Sequence, residues 1–349
     1  MNRFGPTMIA LIFAAMLAFA AGTADAATKI KIATLVPQNS DWGGKIEAAR
    51  AEIKQRTEGR VELRIIYGGV MGNASQVKQM IRIGQLHGGA FTPTDFQDKM
   101  PDLNLYGLPF VFESLDEVNY VRERMDSLLS EGFADEGFVT FGFAGDFAII
   151  LSNVPVRGLG DLDGRKIWLP EGDAISDRAM KKMRLVPSSQ PLGDVLTGLK
   201  TGLFDVVAMP PAAALLLQLH TSIKYFTDMP VIYAMQFMAI QKRVFDKLTP
   251  DDQAVVSDVL SRVYVELNDQ SPADAISAKA TLEKNGIESI EPNDGEFDRL
   301  YEAMAENNRD MAVDGMYSLE MLELMQGYIE EYRSEHTGDN SATAAAGRE

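Results

Sequence analysis

"KIKIATLV" (residues 29–36) and "VELRIIYG" (residues 61–68) are two predicted β-strands, and the segment between them carries the pattern of a helix. The first strand alternates apolar and polar residues and then becomes apolar, which is typical of a strand that enters a buried sheet. Between the strands, apolar residues recur at helical spacing until Gly59, which ends the predicted helix. This order of elements predicts a parallel βαβ unit and therefore an α/β sheet.

The alternation of strands and helices begins a second time after residue 158. "RKIWLP" (residues 165–170) and "FDVVAMP" (residues 204–210) are predicted strands, with helical patterns between and after them. Two successive α/β runs predict two lobes. Farther on, Thr249 is the predicted cap of a long helix that runs through Pro272 to about residue 284.

The two ends of the chain have distinct compositions. An apolar run at residues 8–21 precedes the small-residue sequence "ADA" (residues 24–26), so residues 1–26 are a predicted secretory signal peptide. About 14 apolar residues fall short of the roughly 20 that span a bilayer. Residues 337–349 lack apolar periodicity and are predicted to be disordered. We therefore expect a protein that is exported to the periplasm without membrane insertion.

The composition and motifs exclude several classes of function. A net charge of −17 argues against nucleic acid and anionic lipid as partners. The three histidines, His87, His220 and His336, lie far apart in the sequence, and no signature of a hydrolase, zinc enzyme or nucleotide-binding loop occurs. We expect no enzyme activity, no cofactor and no metal. An exported hydrolase or isomerase, or an interaction module without a ligand, remains an alternative.

Five segments carry a resemblance to a known family. In order, they resemble motifs of the substrate-binding subunit of TRAP (tripartite ATP-independent periplasmic) transporters, the dicarboxylate-binding-type family. The segments are "GRVELRIIYGGVMGNASQVKQMIRIGQL" (residues 59–86), "LPFVFESLDE" (residues 108–117), "LGDLDGRKIWLPEGDAI" (residues 159–175), "LTGLKTGLFDVV" (residues 196–207) and "FDKLTPDDQAVV" (residues 245–256).

The resemblance implies a two-lobed periplasmic binding protein fold with discontinuous lobes, hinge strands and a long shared helix. It implies that a small-molecule ligand is captured between the lobes and delivered to TRAP-type membrane permease subunits. With these implications, lobe I comprises residues 27–150 and about 236–275, and lobe II comprises residues 151–235 and about 276–336.

The resemblance also implies an unusual ligand site. The family clamps a substrate carboxylate with an arginine whose position is Trp168 here. A second family arginine falls on Phe147, and an asparagine falls on Met209. Because buried carboxylates need such donors, we expect an uncharged or largely apolar ligand. Further candidate ligand residues, chosen by their positions at strand ends and loops, are Trp42, Phe91, Thr92, Phe237 and Glu171.

Other interpretations of the same residues remain open. Asp146 and Glu171 stand beside Phe147 and Trp168 in the sequence, which would suit an organic cation. A dicarboxylate or other organic acid is a further alternative. Trp168 itself either lines the pocket, partly exposed when the cleft is open, or fills the core and stays buried in both states.

Overall fold

One sheet extends through the part of the chain that the structure describes. The structure is a computed structural model and describes residues 27–336, so the predicted signal peptide and the predicted disordered tail lie outside the described residues. Its strands are β1 (Thr28–Ala33), β2 (Val61–Ile66), β3 (Gly88–Phe91), β4 (Phe138–Thr140), β5 (Ala144–Ser152), β6 (Ile167–Pro170), β7 (Pro187–Gln190), β8 (Val206–Met209), β9 (Tyr225–Gln241) and β10 (Glu288–Ile290).

Helices follow most of these strands and cover the sheet. They are α1 (Asp41–Arg56), α2 (Ala74–Arg82), α3 (Leu115–Asp135), α4 (Ala174–Lys182), α5 (Val195–Thr201), α6 (Pro211–Leu216), α7 (Lys242–Phe245), α8 (Pro250–Lys284), α9 (Glu296–Val313) and α10 (Leu319–His336). The predicted long helix is α8, and it runs through Pro272 to Lys284 as expected. Thr249 Oγ1 caps it by accepting a hydrogen bond from the Asp252 peptide N–H at 3.2 Å.

The sheet consists of two parallel groups of strands that a central antiparallel pair joins. The strand order is β2-β1-β3-β9-β5-β8-β6-β7, and β4 and β10 also pair with β9. β1 pairs in parallel with β2 and β3, which confirms the predicted βαβ unit. β6 pairs in parallel with β7 and β8. We call the side with β1–β4 the first half and the side with β6–β8 the second half.

The pairing of β5 with β9 is interrupted where the sheet passes between the halves. Pairs run from Ala144–Gln236 to Ala148–Ile232 and resume at Ile150–Thr227. Between the last two pairs β9 has four residues (228–231) and β5 has one, so β9 bulges at this point. Pro230 lies in the bulge and has no peptide N–H to donate. The bulge therefore gives the sheet a place to bend.

The C-terminal helix α10 packs on the first half. Its stripe of Leu322, Met325 and Ile329 lies in the same buried cluster as Val118 and Val121 of α3. The sequence-based division had placed residues 276–336 with lobe II. The apolar stripe of α10 was visible in the sequence, but the helix on which it packs was not. We propose that α10 belongs with lobe I; the other lobe boundaries stay predictions.

A buried arginine ties the first half to both central strands. The Arg122 guanidinium of α3 donates to the Asp126 carboxylate, to Tyr233 Oη at 3.0 Å, to Asn268 Oδ1 at 3.1 Å and to the Phe143 carbonyl at 2.7 Å. These contacts use all five N–H donors of the side chain. Because Phe143 precedes β5, Tyr233 lies in β9 and Asn268 lies in α8, this one cation holds α3 against the central elements.

Replacing Arg122 with leucine should destabilise the fold strongly. The substitution removes every bond of the buried guanidinium. It leaves the Asp126 carboxylate with the Tyr106 hydroxyl and the Phe143 carbonyl with the Asn268 amide as remaining donors. We expect the free energy of unfolding to fall by about 3 to 5 kcal/mol. Urea denaturation followed by circular dichroism measures the loss. Arg124→Leu is the matched control, since this neighbouring arginine is partly exposed and stacks on Tyr120; it should lose less than about 1 kcal/mol. Equal losses in the two variants would contradict the role assigned to Arg122.

Candidate ligand-binding cleft

Capped helix ends form the edge of the first half where its parallel strands end. The caps are side-chain acceptors: Ser40 Oγ for the Gly43 peptide N–H at 3.1 Å, and Asn73 Oδ1 for the Gln76 peptide N–H at 3.0 Å. After β3, Asp95 Oδ2 accepts hydrogen bonds from the Thr92 peptide N–H and hydroxyl, at 2.8 and 3.1 Å. Helix N-termini are sites for anions. Here the chain's own polar side chains already accept hydrogen bonds from some of the peptide N–H groups that could bind an anion.

The corresponding edge of the second half is built in the same way. β6 ends at Pro170, and the turn that follows leads to Asp173, whose Oδ1 accepts a hydrogen bond from the Ser176 peptide N–H at 2.9 Å. Burial raises the pKa of Asp173, and the hydrogen bonds from Ser176 oppose that rise. The Glu171 peptide N–H donates to the carbonyl of Gln190, the last residue of β7, at 3.2 Å. These bonds fix the turns at this edge.

The two edges meet across a cleft. Asn73 Nδ2, in the loop after β2, donates to Glu171 Oε2, in the turn after β6, at 3.4 Å. These two strands are the first and the seventh in the sheet order. Six strand spacings of about 4.8 Å would separate them by about 29 Å in a flat sheet. The contact therefore requires the sheet to bend at its centre, so the two carboxyl-end edges face each other.

Trp168 and Met209, two of the predicted ligand residues, are buried in the second half. Each is 5% exposed, and both pack in one cluster with Val195 and Phe204. Trp168 Nε1 donates to the Gln190 carbonyl at 3.1 Å, so the indole N–H already has a partner. A pocket-lining tryptophan would also be covered in a closed cleft, but this packing and hydrogen bond favour the core-filling interpretation of Trp168.

Phe147 is the predicted residue whose position best suits a cleft floor. Ile149 pairs with Met209 at the end of β8, so Phe147, two residues earlier on β5, lies beyond that end. Its ring is only partly buried and stands edge-on to the Tyr233 ring, with centroids 5.9 Å apart and an interplanar angle of 75°. Tyr233 is paired with it on β9 and was not among the predicted ligand residues. Tyr233 is 2% exposed and accepts a hydrogen bond from Arg122, so of these two rings only that of Phe147 is accessible between the halves.

The remaining candidates are dispersed. Phe91 and Phe237 pair across β3 and β9 and are buried in the core of the first half. Trp42 is partly buried against a different cluster, which includes residues of α1 and α8. Thr92 and Glu171 are exposed at the two edges. The structure thus leaves Thr92 and Glu171 exposed and Phe147 and Trp42 partly buried, and it packs the other four into cores.

Asp146 does not face the same side of the sheet as Phe147. Adjacent residues of a strand point to opposite faces, and the charges acting on Asp146 are Lys279 and Asp274 of α8 and Asp228 of β9. Its carboxylate accepts a hydrogen bond from the Phe147 peptide N–H at 2.7 Å. Burial raises its pKa to about 6. Asp146 therefore faces α8, on the opposite face of the sheet from the Phe147 ring, and the organic-cation alternative stays a prediction.

The loops at the two edges contain no lysine or arginine. They comprise residues 34–40, 67–73, 92–95, 171–173, 190–194 and 210–213. Their charged members are the carboxylates of Asp95, Glu171, Asp173 and Asp194. These loops themselves offer a ligand hydroxyl, amide and peptide groups, and the ammonium of Lys78, on α2, donates to the Asp95 carbonyl beside them. Asn73 was missed as a site residue, although its spacing from Gln76 is a capping-box signal.

Other sites of binding are limited within residues 27–336. No group of three or more histidine, aspartate or glutamate side chains there could hold a metal ion, and no helix there is long and apolar enough to cross a bilayer. A surface depression of about 620 Å³ borders β2. Its Glu47 accepts hydrogen bonds from Tyr67 and Arg50, and none of the predicted ligand residues lines it. We therefore regard the cleft as the candidate site.

Comparison with known proteins identifies the family. The model of bacterial extracellular solute-binding protein family 7 matches residues 32–314. The chain belongs to this family. A solute-binding protein of Verminephrobacter eiseniae is 24% identical over 295 residues, which cover 80% of this chain and 88% of the relative. One from Chromohalobacter salexigens is 27% identical over 175 residues, which cover 48% of this chain and only about half (51%) of the relative.

Solved structures confirm the fold of this family 7 receptor. DctP7, an extracytoplasmic solute receptor of Bordetella pertussis that binds pyroglutamic acid, superposes with a TM-score of 0.79. The match covers 86% of this chain and 99% of DctP7 at 19% identity. It confirms the predicted two-lobed α/β binding-protein fold and the resemblance to TRAP receptors.

If Trp168 fills the core, its removal should cost stability. We expect Trp168→Ala to lower the free energy of unfolding by about 3 to 5 kcal/mol, because it leaves a large cavity beneath α5. Trp168→Phe keeps most of the apolar volume and should lose clearly less. Urea titration followed by circular dichroism compares the two variants. An unchanged midpoint for Trp168→Ala together with lost ligand affinity would instead restore the ligand-contact interpretation.

Asp146 should make stability depend on pH. Its pKa is higher in the folded protein than in the unfolded chain, so the folded state binds more protons between about pH 4 and 6, and stability falls as pH rises through that interval. At about 1.4 kcal/mol per pKa unit, the fall is at most about 3 kcal/mol. Asp146→Asn should abolish it and gain stability relative to the wild type at pH 7. Chemical denaturation at pH 4 and 7 measures this, with exposed Asp163→Asn as the control; parallel profiles in all three proteins would refute it.

Proposed function

We propose that this protein is the periplasmic receptor of a TRAP-type transporter. It binds a small organic solute between its two halves and delivers it to membrane permease subunits. The observation that carries the proposal is the Asn73–Glu171 contact, because it brings together two carboxyl-end edges that belong to opposite ends of the sheet. Ligands of open α/β sheets bind at such edges. The family match and the predicted signal peptide support export and binding rather than turnover.

The ligand class that the relatives support is a small organic acid. An extracytoplasmic solute receptor of similar fold binds pyroglutamic acid, and two TRAP solute-binding proteins of similar fold hold orotic acid or D-glucuronate. The sequence-based expectation of an apolar ligand has no counterpart among them. In this chain the edge loops lack side-chain cations. An acid would therefore be held by hydroxyl, amide and peptide N–H donors, which also bind carboxylates, though less strongly than a guanidinium.

An uncharged ligand is the second candidate. Two features favour it. The resemblance places Phe147 where the family has an arginine, and the edge loops carry carboxylates, which repel an acid. For an organic cation, Asp146 is on the wrong face of the sheet, so the partners left for it are the carboxylates of the edge loops. The two leading candidates differ in one property, namely whether a carboxylate on the ligand helps or hinders binding.

Matched pairs of compounds decide between these candidates. The pairs are orotate with uracil, pyroglutamate with 2-pyrrolidone, and D-glucuronate with D-glucose, and in each pair the acid carries a carboxylate that its partner lacks. Bound ligand is first removed by unfolding and refolding the mature protein. A ligand at about 100 times its Kd adds about 2.7 kcal/mol to stability, which raises the melting temperature by several degrees.

We expect at least one acid to raise the melting temperature while its uncharged partner does not. Stabilisation by the uncharged members alone would establish the second candidate and refute the first. Titration calorimetry with the stabilising compound then gives its stoichiometry. The delivery step has a separate check, since genes for a small and a large multi-span permease subunit should flank this one.

A further inference from the structure

We infer that Asn73 and Glu171 form a latch that holds the cleft of this receptor closed. The inference rests on the proposed function, because a latch matters only if the two halves move apart to admit a solute. Its two members lie at the tips of opposite edges, and both are accessible to solvent. We propose that this pair of residues influences the ratio of closed to open molecules.

The donor of the latch has a fixed orientation. Asn73 is the N-cap of α2, and its Oδ1 accepts a hydrogen bond from the Gln76 peptide N–H at 3.0 Å. The Gln76 side chain in turn accepts a hydrogen bond from the Asn73 peptide N–H at 2.9 Å. Because the cap fixes the amide oxygen, the amide nitrogen of Asn73 must point away from the helix, and it points at Glu171. The amide group thus reaches the other half in only one orientation.

The acceptor of the latch is held from both sides of its turn. The Glu171 peptide N–H is bonded to the Gln190 carbonyl, and Asp173 caps α4 two residues later. Between them, Gly172 has a positive φ of 85°, a conformation that favours glycine. The backbone at Glu171 is therefore anchored to β7 and to α4. Among residues 27–336 its carboxylate accepts no hydrogen bond from its own half, so it is available to the amide of Asn73.

The strength of the latch is that of an exposed hydrogen bond to a charged acceptor. Such contacts change an equilibrium by about two- to five-fold. A change of this size is measurable because two conformations of a protein commonly differ by no more than a few kcal/mol. The solute would supply the rest of the closing free energy. We therefore expect the latch to bias closure without enforcing it.

Charge variants isolate the latch from the helix cap. Asn73→Asp keeps an acceptor for the Gln76 peptide N–H but places a carboxylate opposite Glu171. Adding Glu171→Lys to this variant restores an attractive pair. Glu171→Ala removes the acceptor and leaves the cap of α2 intact. Glu330→Lys, on exposed α10, changes the net charge as Glu171→Lys does and is the control.

The measurement is the distance between the halves in the absence of solute. The chain has no cysteine, so Gln79→Cys on α2 and Thr197→Cys on α5 accept spin labels without background. Double electron–electron resonance then gives the populations of closed and open molecules. We expect Asn73→Asp and Glu171→Ala each to lower the closed-to-open ratio by about two- to five-fold.

The charge-swapped double variant should recover the ratio at low ionic strength and lose the recovery at high salt. Glu330→Lys should leave the wild-type distribution unchanged. Identical distributions in Asn73→Asp, Glu171→Ala and the wild type, whether all closed or all open, would overturn the latch. Because no solute is used, that result would leave the outcome of the compound pairs standing, so failure of the latch can be told apart from failure of the proposed function.

Discussion

The two halves depend on the antiparallel pairing of β5 with β9. Within residues 27–336 the sheet passes from one half to the other only through this pair of strands. Arg122 anchors this pair of strands on one side by donating hydrogen bonds to Phe143, Tyr233 and Asn268. Helix α8 packs against the pair. The bulge at residues 228–231 interrupts the ladder. The halves are therefore joined by a pair that is anchored at one end and free to bend near the other.

Local features of the fold could be predicted because they depend on neighbouring residues. The βαβ unit follows from the alternation of apolar residues, and the start of α8 follows from Thr249 and Pro250. The placement of α10 on α3 could not be predicted, since an apolar stripe does not identify the surface on which it packs. The same limit applies to the order of strands, which depends on contacts between distant segments.

The candidate site was predicted less well than the fold, for reasons visible in single residues. Phe147 suits the cleft floor, but Met209 and Trp168, one and two strands away on the same sheet, pack beneath helices. Which of several aromatic residues at strand ends stays accessible depends on the helices that cover them. The separation of Asp146 from Phe147 follows from the two-residue period of a strand and was available in the sequence. Asn73 likewise had a capping signal, but its contact with Glu171 exists only because the sheet bends.

The absence of side-chain cations from the edge loops also affects how fast solutes arrive. With a net charge of −17, the field outside the protein repels anions as they diffuse toward the cleft, and the edge loops themselves supply no lysine or arginine to focus them. Added salt screens this field over about 8 to 10 Å. For an anionic solute, association would therefore be faster in a salty periplasm than in a dilute one, whereas an uncharged solute would arrive at the same rate in both.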